Sequence, residues 1–283
     1  MASREPSEGQ KLSFILVTND DGYDSPSLVP LIQALSALGP VRAVVPAGER
    51  SWIGKAITRF EDVEVTRADR EGCEIWKATG FPADCTQLGI HALFDEPPDL
   101  VVSGINVGFN HGLAFFCSSG TVGGAIEGWI AGIPSLAFSA GVLEGHDGWS
   151  TESRTPEGRE GWTRAAALAL DVTRVARRHG LPANADLVSV NFPWGSGVET
   201  PREVTRLGRV GYDRVFQPRA VDRGEGLYFH EFGGMVRREA SLRDSDVIAA
   251  RRGVVSITPV RLAHTADLTS EEVAAWEGRR PER

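Results

Sequence analysis

The segment Phe14–Val17 is a run of apolar, strand-forming residues that stops abruptly at Asn19, Asp20, Asp21 and Gly22. Consecutive apolar residues suit a strand covered on both faces, as in a parallel sheet flanked by helices. Such a strand delivers two adjacent carboxylates to its C-terminal edge, where like charges repel and lose hydration. A hard divalent cation held between them relieves both penalties. In open α/β sheets the crevice beyond the strand C-termini is also where ligands bind. The same four residues equally satisfy a polar turn that merely ends a strand, because Asn, Asp and Gly favour turn geometry. The remainder of the chain has to decide between the two readings.

The next segments extend a βαβ pattern. Ser25 is placed as an N-cap with Pro26 at the first helical position. Leu28, Leu31, Ile32, Leu35 and Leu38 follow at helical spacing, and Gly39-Pro40 ends the helix. Val41–Val45 reads as a second buried strand, which makes the opening a right-handed crossover. Further strands are expected at Asp99–Val102, Ser135–Ser139, Asp186–Asn191 and Gly253–Thr258. Helices are expected from Pro82 to about Phe94, from Ser118–Gly124 to about Ala131, over Trp162–His179 and over Ser270–Glu277. Val63–Thr66 and Glu74–Ala78 read as a small ribbon, and Gly141–Gly161 as a surface loop. Between Glu199 and Asp246 the chain becomes richer in Arg and Gly and reads as hairpins. The expected fold class is α/β: a Rossmann-like three-layer core with a mostly parallel sheet over 12–198, a β-hairpin extension for oligomerisation over 199–248, and a last core strand and helix over 249–283.

Bulk properties narrow the function classes. The net charge of −8 speaks against a general nucleic-acid binder, which needs a basic face. The sequence contains no run of about 18 apolar residues that would cross a membrane. Met1–Lys11 lacks the apolar stretch of a secretory signal, so a cytoplasmic setting is expected. Cys73, Cys85 and Cys117 show neither zinc-site nor disulfide-framework spacing. The P-loop signature is absent, and Asn-Asp-Asp-Gly stands where a dinucleotide-binding fingerprint would follow the first strand.

Three loops should gather at strand C-termini, carrying Asp20/Asp21, Ser51 and Asn106/Asn110. All offer oxygen donors, the type that magnesium, manganese and calcium favour. Gly104–Gly112 allows close backbone approach to a ligand, although its glycines also suit plain turns. Ser118–Gly124 immediately precedes a helix, so its free N–H groups suit a phosphate, while Ser119 or Thr121 also suits an N-cap. His111 is read as a solvated loop histidine or as an acid toward a leaving alkoxide. His91 reads as structural, and His146, His179, His230 and His264 show no ligand spacing. Cys85 reads as a small buried residue. Phe109, Phe115 and Phe116 are placed to stack on a base or to cover an apolar mouth.

Thr18–Gly22, Gly80-Phe-Pro-Ala-Asp-Cys85, Ser103-Gly-Ile-Asn-Val-Gly108, Asn110-His-Gly112, Ser119–Val122 and Val255–Pro259 together resemble the successive motifs of the SurE family, in family order. The resemblance implies a divalent-metal-dependent phosphomonoesterase, 5′-nucleotidase-like, releasing phosphate from nucleoside 5′- or 3′-monophosphates. It implies one Mg2+ or Mn2+ ion, with Ca2+ able to replace it in crystals, on Asp20, Asp21, Ser51 and Asn106. It places Asn19, Asn106, Asn110, Ser119, Gly120 and Thr121 around the phosphate, with Asp20, Asn110 and Ser119 in catalytic roles. The nucleophile is either a water oriented by Asp20 or Asp20 itself. Self-association into dimers or tetramers through the hairpin region is implied, with no nucleic-acid polymer or membrane as partner.

Two departures stand out. Trp52-Ile53 intervene before Gly54, where the family usually has Gly directly after the loop serine. Leu113–Ser118 is more apolar and one residue longer than the family pattern. These motivate two alternatives: a phosphatase specialised for a biosynthetic intermediate, and a non-catalytic nucleotide-binding module.

Overall fold

The computed structural model describes residues 13–142, 148–222, 225–231, 235–237, 243–262 and 265–277. Met1–Lys11, His146 and His264 lie outside them. The first strand, β1 (Ile15–Thr18), is buried along its whole length. Its neighbours in sequence alternate between two cores, as a pleated strand requires. Ile15 and Val17 pack with the helices of one face, whereas Phe14 and Leu16 pack with those of the other. This double burial is the physical reason for an unbroken apolar run.

From there the chain forms α1 (Leu28–Leu35), β2 (Val41–Pro46), β3 (Val65–Arg70), β4 (Cys73–Ala78), α2 (Pro82–His91) and β5 (Leu100–Val107). It continues as α3 (Leu113–Ser118), α4 (Gly120–Ile130), β6 (Ser135–Gly141), α5 (Trp149–Glu152), α6 (Gly158–His179) and β7 (Leu187–Pro193). The last part holds β8 (Arg202–Val204), β9 (Val210–Tyr212), β10 (Phe216–Asp222), β11 (Glu225–His230), β12 (Met235–Arg237), α7 (Asp246–Arg251), β13 (Val255–Val260) and α8 (Ser270–Trp276). Among the described residues no helix is long and apolar enough to cross a membrane.

Nine strands form one sheet in the order β3-β4-β2-β1-β5-β6-β7-β13-β8. The six from β4 to β7 run parallel, and β13 is antiparallel to β7. Helices α1 and α6 bury Leu28, Leu31, Leu35, Trp162, Ala165 and Leu168 on one face. Helices α2 and α4 cover the other through Cys85, Ile90, Val122 and Ala125. The result is the expected three-layer α/β core. The chain moves outward from β1 through β2 to β4, then returns to place β5 on the opposite side of β1. The order of strands therefore reverses between β1 and β5, the switch point at which such sheets open a crevice.

Several local expectations are corrected. The ribbon β3-β4 is not separate, because β4 pairs in parallel with β2 and extends the main sheet. Ser25 does not cap α1, which begins after Ser27 without a side-chain cap. The Ser25 hydroxyl lies 3.0 Å from that of Ser27, and Ser27 donates to the Ile105 carbonyl at 2.5 Å. Both hydroxyls thus serve a buried irregularity in β5 rather than the helix end. The glycine-rich stretch after Val102 is not all loop. β5 runs on to Val107, with a register shift against β6 between Ser103 and Asn106. Ile105 is fully buried there, and Gly104 has φ +129 with its missing Cβ 2.3 Å from the Phe138 carbonyl oxygen. Only glycine allows that approach. The 141–161 stretch holds α5 and the start of α6, and 199–248 contributes β8 to the main sheet as well as the β10-β11 hairpin.

Candidate active site

The turn after β1 carries Asn19, Asp20 and Asp21 into the crevice, all of them buried. The Asn19 amide nitrogen donates to the Gly22 carbonyl at 3.1 Å, and its oxygen accepts from the Gly22 N–H at 3.0 Å. Expected at the phosphate, Asn19 is bonded instead into the turn that aims the next two side chains.

Asp20 lies against the first turn of α4. Its carboxylate accepts from the Thr121 hydroxyl and from the N–H groups of Gly120 and Thr121. The approach is so close that a Cβ on Gly120 would stand 2.7 Å from the Asp20 Cβ. The free amides and positive dipole end of α4 therefore face a protein carboxylate. Ser119 caps the helix, accepting from the Val122 N–H at 3.1 Å. Asp21 accepts from the Val107 N–H at 2.9 Å and faces the Arg154 guanidinium at 3.6 Å.

Burial pushes both carboxyls above the ordinary carboxylate range. For Asp20 desolvation outweighs the donors from α4. For Asp21 the value rises to about 8, chiefly through burial and then through the charge of Asp20. The Val107 N–H and Arg154 oppose that rise, and Glu49 adds to it. Two buried carboxyls that hold protons this strongly lack compensating positive charge. An all-oxygen donor set with two carboxylates suits a hard divalent cation in charge and in ligand type.

The second loop is tied to the first by backbone. The Arg50 N–H donates to the Asp20 carbonyl at 2.7 Å, and the Gly54 N–H to the Ser118 carbonyl at 2.8 Å. Ser51 follows Arg50 directly and is exposed, its hydroxyl donating to the Glu49 carboxylate at 2.6 Å. On the third loop Asn106 stands next to Val107, the residue bonded to Asp21. Its amide nitrogen donates to the Gly108 carbonyl at 2.7 Å, so its own carbonyl oxygen is the atom suited to a cation. Asn110 is buried and bonded across the sheet edge. Its N–H donates to Asn191 of β7 at 2.9 Å, and its side-chain amide to Ser139 of β6 at 2.8 Å.

The structure thus joins Asp20 directly to Gly120 and Thr121, holds Asp21 on Val107 and Arg154, and sets Ser51 and Asn106 one residue away from atoms bonded to the pair. His111 is a correction: it is buried, not solvated, and stacked on Phe109 with ring centroids 4.6 Å apart. Burial raises the nearby Asp246 carboxyl above its ordinary value, and His111 is among the groups that oppose that rise. His91 is exposed rather than packed. Phe116 lies in the core, Phe109 on His111, and Phe115 beside Trp52. Cys85 is buried and its thiol is held protonated by desolvation. Sequence reasoning missed Arg154. It falls between α5 and α6 in a polar stretch without a motif, and only the tertiary fold brings it to Asp21.

Comparison with known proteins identifies the chain's relatives. The family model described as "Survival protein SurE" matches residues 15–214. A "5'-nucleotidase SurE" of Methanosarcina acetivorans is 35% identical over 93% of this chain and 97% of its own. One from Moorella thermoacetica is 39% identical over 93% of this chain and 95% of its own. The solved SurE protein from Aquifex aeolicus superposes with a TM-score of 0.68 at 33% identity, covering 93% of this chain and 97% of that one. The carboxylate pair at the switch point thus lies inside the matched region, and the chain belongs to the SurE family.

Proposed function

We propose that the chain is a phosphomonoesterase that releases phosphate from nucleoside monophosphates with the help of one divalent cation, Mg2+ or Mn2+. The observation that carries this reading is the buried Asp20/Asp21 pair at the switch point, raised in pKa and set against the N-terminus of α4. The relatives, each named a 5'-nucleotidase, supply the substrate class. Asp20, Asp21, Ser51 and Asn106 would hold the cation. When bound, it supplies electrophilic polarisation of a phosphoryl oxygen and offsets developing negative charge.

The chain's own residues do the rest. Thr121 and the Gly120 amide hold Asp20 in one orientation, so that it either orients a water or attacks phosphorus itself. Val107 and Arg154 hold Asp21. Asn110, held by Ser139 and Asn191, and Ser119 at the start of α4 would orient the ester. Positioning and electrostatic stabilisation are the main demands of phosphoryl transfer. Self-association through the β10-β11 hairpin is part of the same reading, supported by exposed Phe216, Leu227 and Tyr228.

The test is phosphate release from a panel of 5′- and 3′-nucleoside monophosphates and sugar phosphates, with Mg2+ or Mn2+ titrated in and chelator titrated back. Turnover of nucleotides that chelator abolishes supports the reading. Turnover confined to one non-nucleotide phosphate would favour a specialised biosynthetic phosphatase, and metal-independent turnover would remove the cation from the proposal.

A further inference from the structure

We propose that Arg154 is a phosphate-binding residue of this site: its guanidinium, lying against Asp21, receives the phosphoryl group of the substrate and holds the phosphate product. The inference rests on the phosphatase reading above and adds to the same site a cationic side chain from a segment that carries none of the motifs.

Three observations carry it. First, Arg154 stands at the carboxylate pair. One guanidinium nitrogen lies 3.6 Å from Asp21 Oδ1. Asp21 is buried, whereas the Arg154 side chain keeps 39% of its surface exposed. The guanidinium therefore sits at the boundary between the buried pair and solvent, the side from which a ligand arrives.

Second, its donors are uncommitted. A separation of 3.6 Å is too long for a hydrogen bond. Among the described residues the Arg154 guanidinium makes none. Two other arginines behave differently. Arg50 donates to the Thr79 carbonyl at 2.8 Å, and Arg70 donates to the carbonyls of Tyr23 and Ser25 at 2.7 and 2.9 Å. Those two brace backbone. Arg154 retains five N–H donors in a planar fork, the shape that matches two oxygens of a phosphate.

Third, the donors are presented from a firm base. The Ser153 N–H donates to the Trp149 carbonyl at 2.7 Å, and the Ser153 carbonyl accepts from the Trp162 indole N–H at 2.7 Å. The Arg154 N–H itself donates to the Thr151 carbonyl at 3.1 Å. Trp149 and Trp162 are buried, and Trp194 packs on them with centroids 5.3 and 4.9 Å away. A packed group of three indoles thus anchors the backbone beside Arg154.

Charge decides what this guanidinium takes. Against Asp21 alone it offsets one negative charge. A divalent cation on the Asp20/Asp21 pair would neutralise both carboxylates, leaving Arg154 with an unanswered positive charge and open donors. A phosphate dianion supplies both the charge and the acceptors.

The experiment titrates inorganic phosphate into Mn2+-loaded protein by calorimetry, for the unaltered chain, Arg154→Ala, Arg154→Lys and Arg159→Ala. Arg159 lies close by in sequence but pairs with Glu71, and it serves as the control. Mn2+ affinity is measured on each. The expected result is a loss of at least about tenfold in phosphate affinity for Arg154→Ala, the scale of hydrogen bonds to a charged group. Arg154→Lys should recover part of it, because an ammonium keeps the charge without the fork. Arg159→Ala should leave phosphate affinity unchanged. Mn2+ should bind Arg154→Ala at least as tightly as the unaltered chain, since a competing positive charge has gone. Unchanged phosphate affinity in Arg154→Ala would overturn the inference, as would an unaltered chain that binds no phosphate. A loss matched by weaker Mn2+ binding would also overturn it, because Arg154 would then only support Asp21.

Failure of the phosphatase reading looks different. Where no phosphate ester is turned over, the titration still supports or overturns the role of Arg154. Where nucleotides are turned over and Arg154→Ala changes neither KM nor phosphate affinity, the phosphatase reading stands and this inference falls.

Discussion

The carboxylate pocket and the aromatic cluster are joined by one loop, which carries Ser51 and Trp52 side by side, yet they are built on opposite terms. Asp20 and Asp21 are themselves buried, and their carboxylates answer to particular donors from β5, α4 and the Arg154 segment. Trp52 is exposed, and the rings of Phe115, Tyr212 and His230 touch it edge-on without directional bonds. The first region tolerates almost no change of shape, because neighbours stand within 3 Å of absent atoms such as the Gly120 Cβ. The second can exchange one ring for another at the cost of contact area. Chemistry common to a family belongs in the first kind of surround, and sequence variation in the second.

The contrast can be broken most severely at the pocket. Asp21→Asn should lower metal-dependent phosphate release by at least about a hundredfold, the scale of losing one preorganised electrostatic group. Steady-state assay with saturating Mg2+ or Mn2+ checks this, and near-normal turnover would remove Asp21 from the site. Gly104→Ala should cost about 3 kcal/mol or more, since it combines strained φ with a clash against the Phe138 carbonyl. Denaturant unfolding measures it.

A gentler test uses pH on the metal-free chain. Asp21 has an ordinary value of 3.8 and is raised to about 8 in the folded state. Between those values the folded chain holds a proton that the unfolded chain has released, so stability falls as pH rises. The slope reaches up to about 1.4 kcal/mol per pH unit for one full proton. Melting temperature should therefore decline from about pH 4 toward about pH 8, and Asp21→Asn should flatten that decline. Added Mg2+ or Mn2+ should raise the melting temperature most at the alkaline end. A flat profile in the unaltered chain would contradict the strained-carboxyl account.

Thr121→Val keeps shape and removes one hydroxyl donor to Asp20, so a loss of about 2 kcal/mol in transition-state stabilisation is expected from kcat/KM. At the mild end, Leu227→Ser on the exposed face of β11 should change monomer stability by less than about 0.5 kcal/mol. Sedimentation of the same variant tests the proposed contact between copies.

The two regions also differ in how plainly the sequence announces them. β1, its acidic turn and the small-residue start of α4 show themselves through local pattern, since burial on both faces and tight approach dictate residue type directly. α3 and α7 are harder to see: six residues each leave too little periodicity. The continuation of β5 through Gly104 was hidden because glycine signals a loop locally, whereas here it marks the Phe138 backbone pressing on a strand. The Ser25–Ser27 pair looks like a helix cap until Ile105 claims it. Arg154 and the partners of Trp52 come from distant segments, and no short-range rule connects them.

The loop that carries Ser51 has two main-chain anchors, Arg50 to Asp20 and Gly54 to Ser118. Main-chain anchors are indifferent to which side chains the loop bears. Evolution can therefore rewrite position 52 as freely as a replaceable bit in a fixed chuck, altering the tip while the spindle stays aligned.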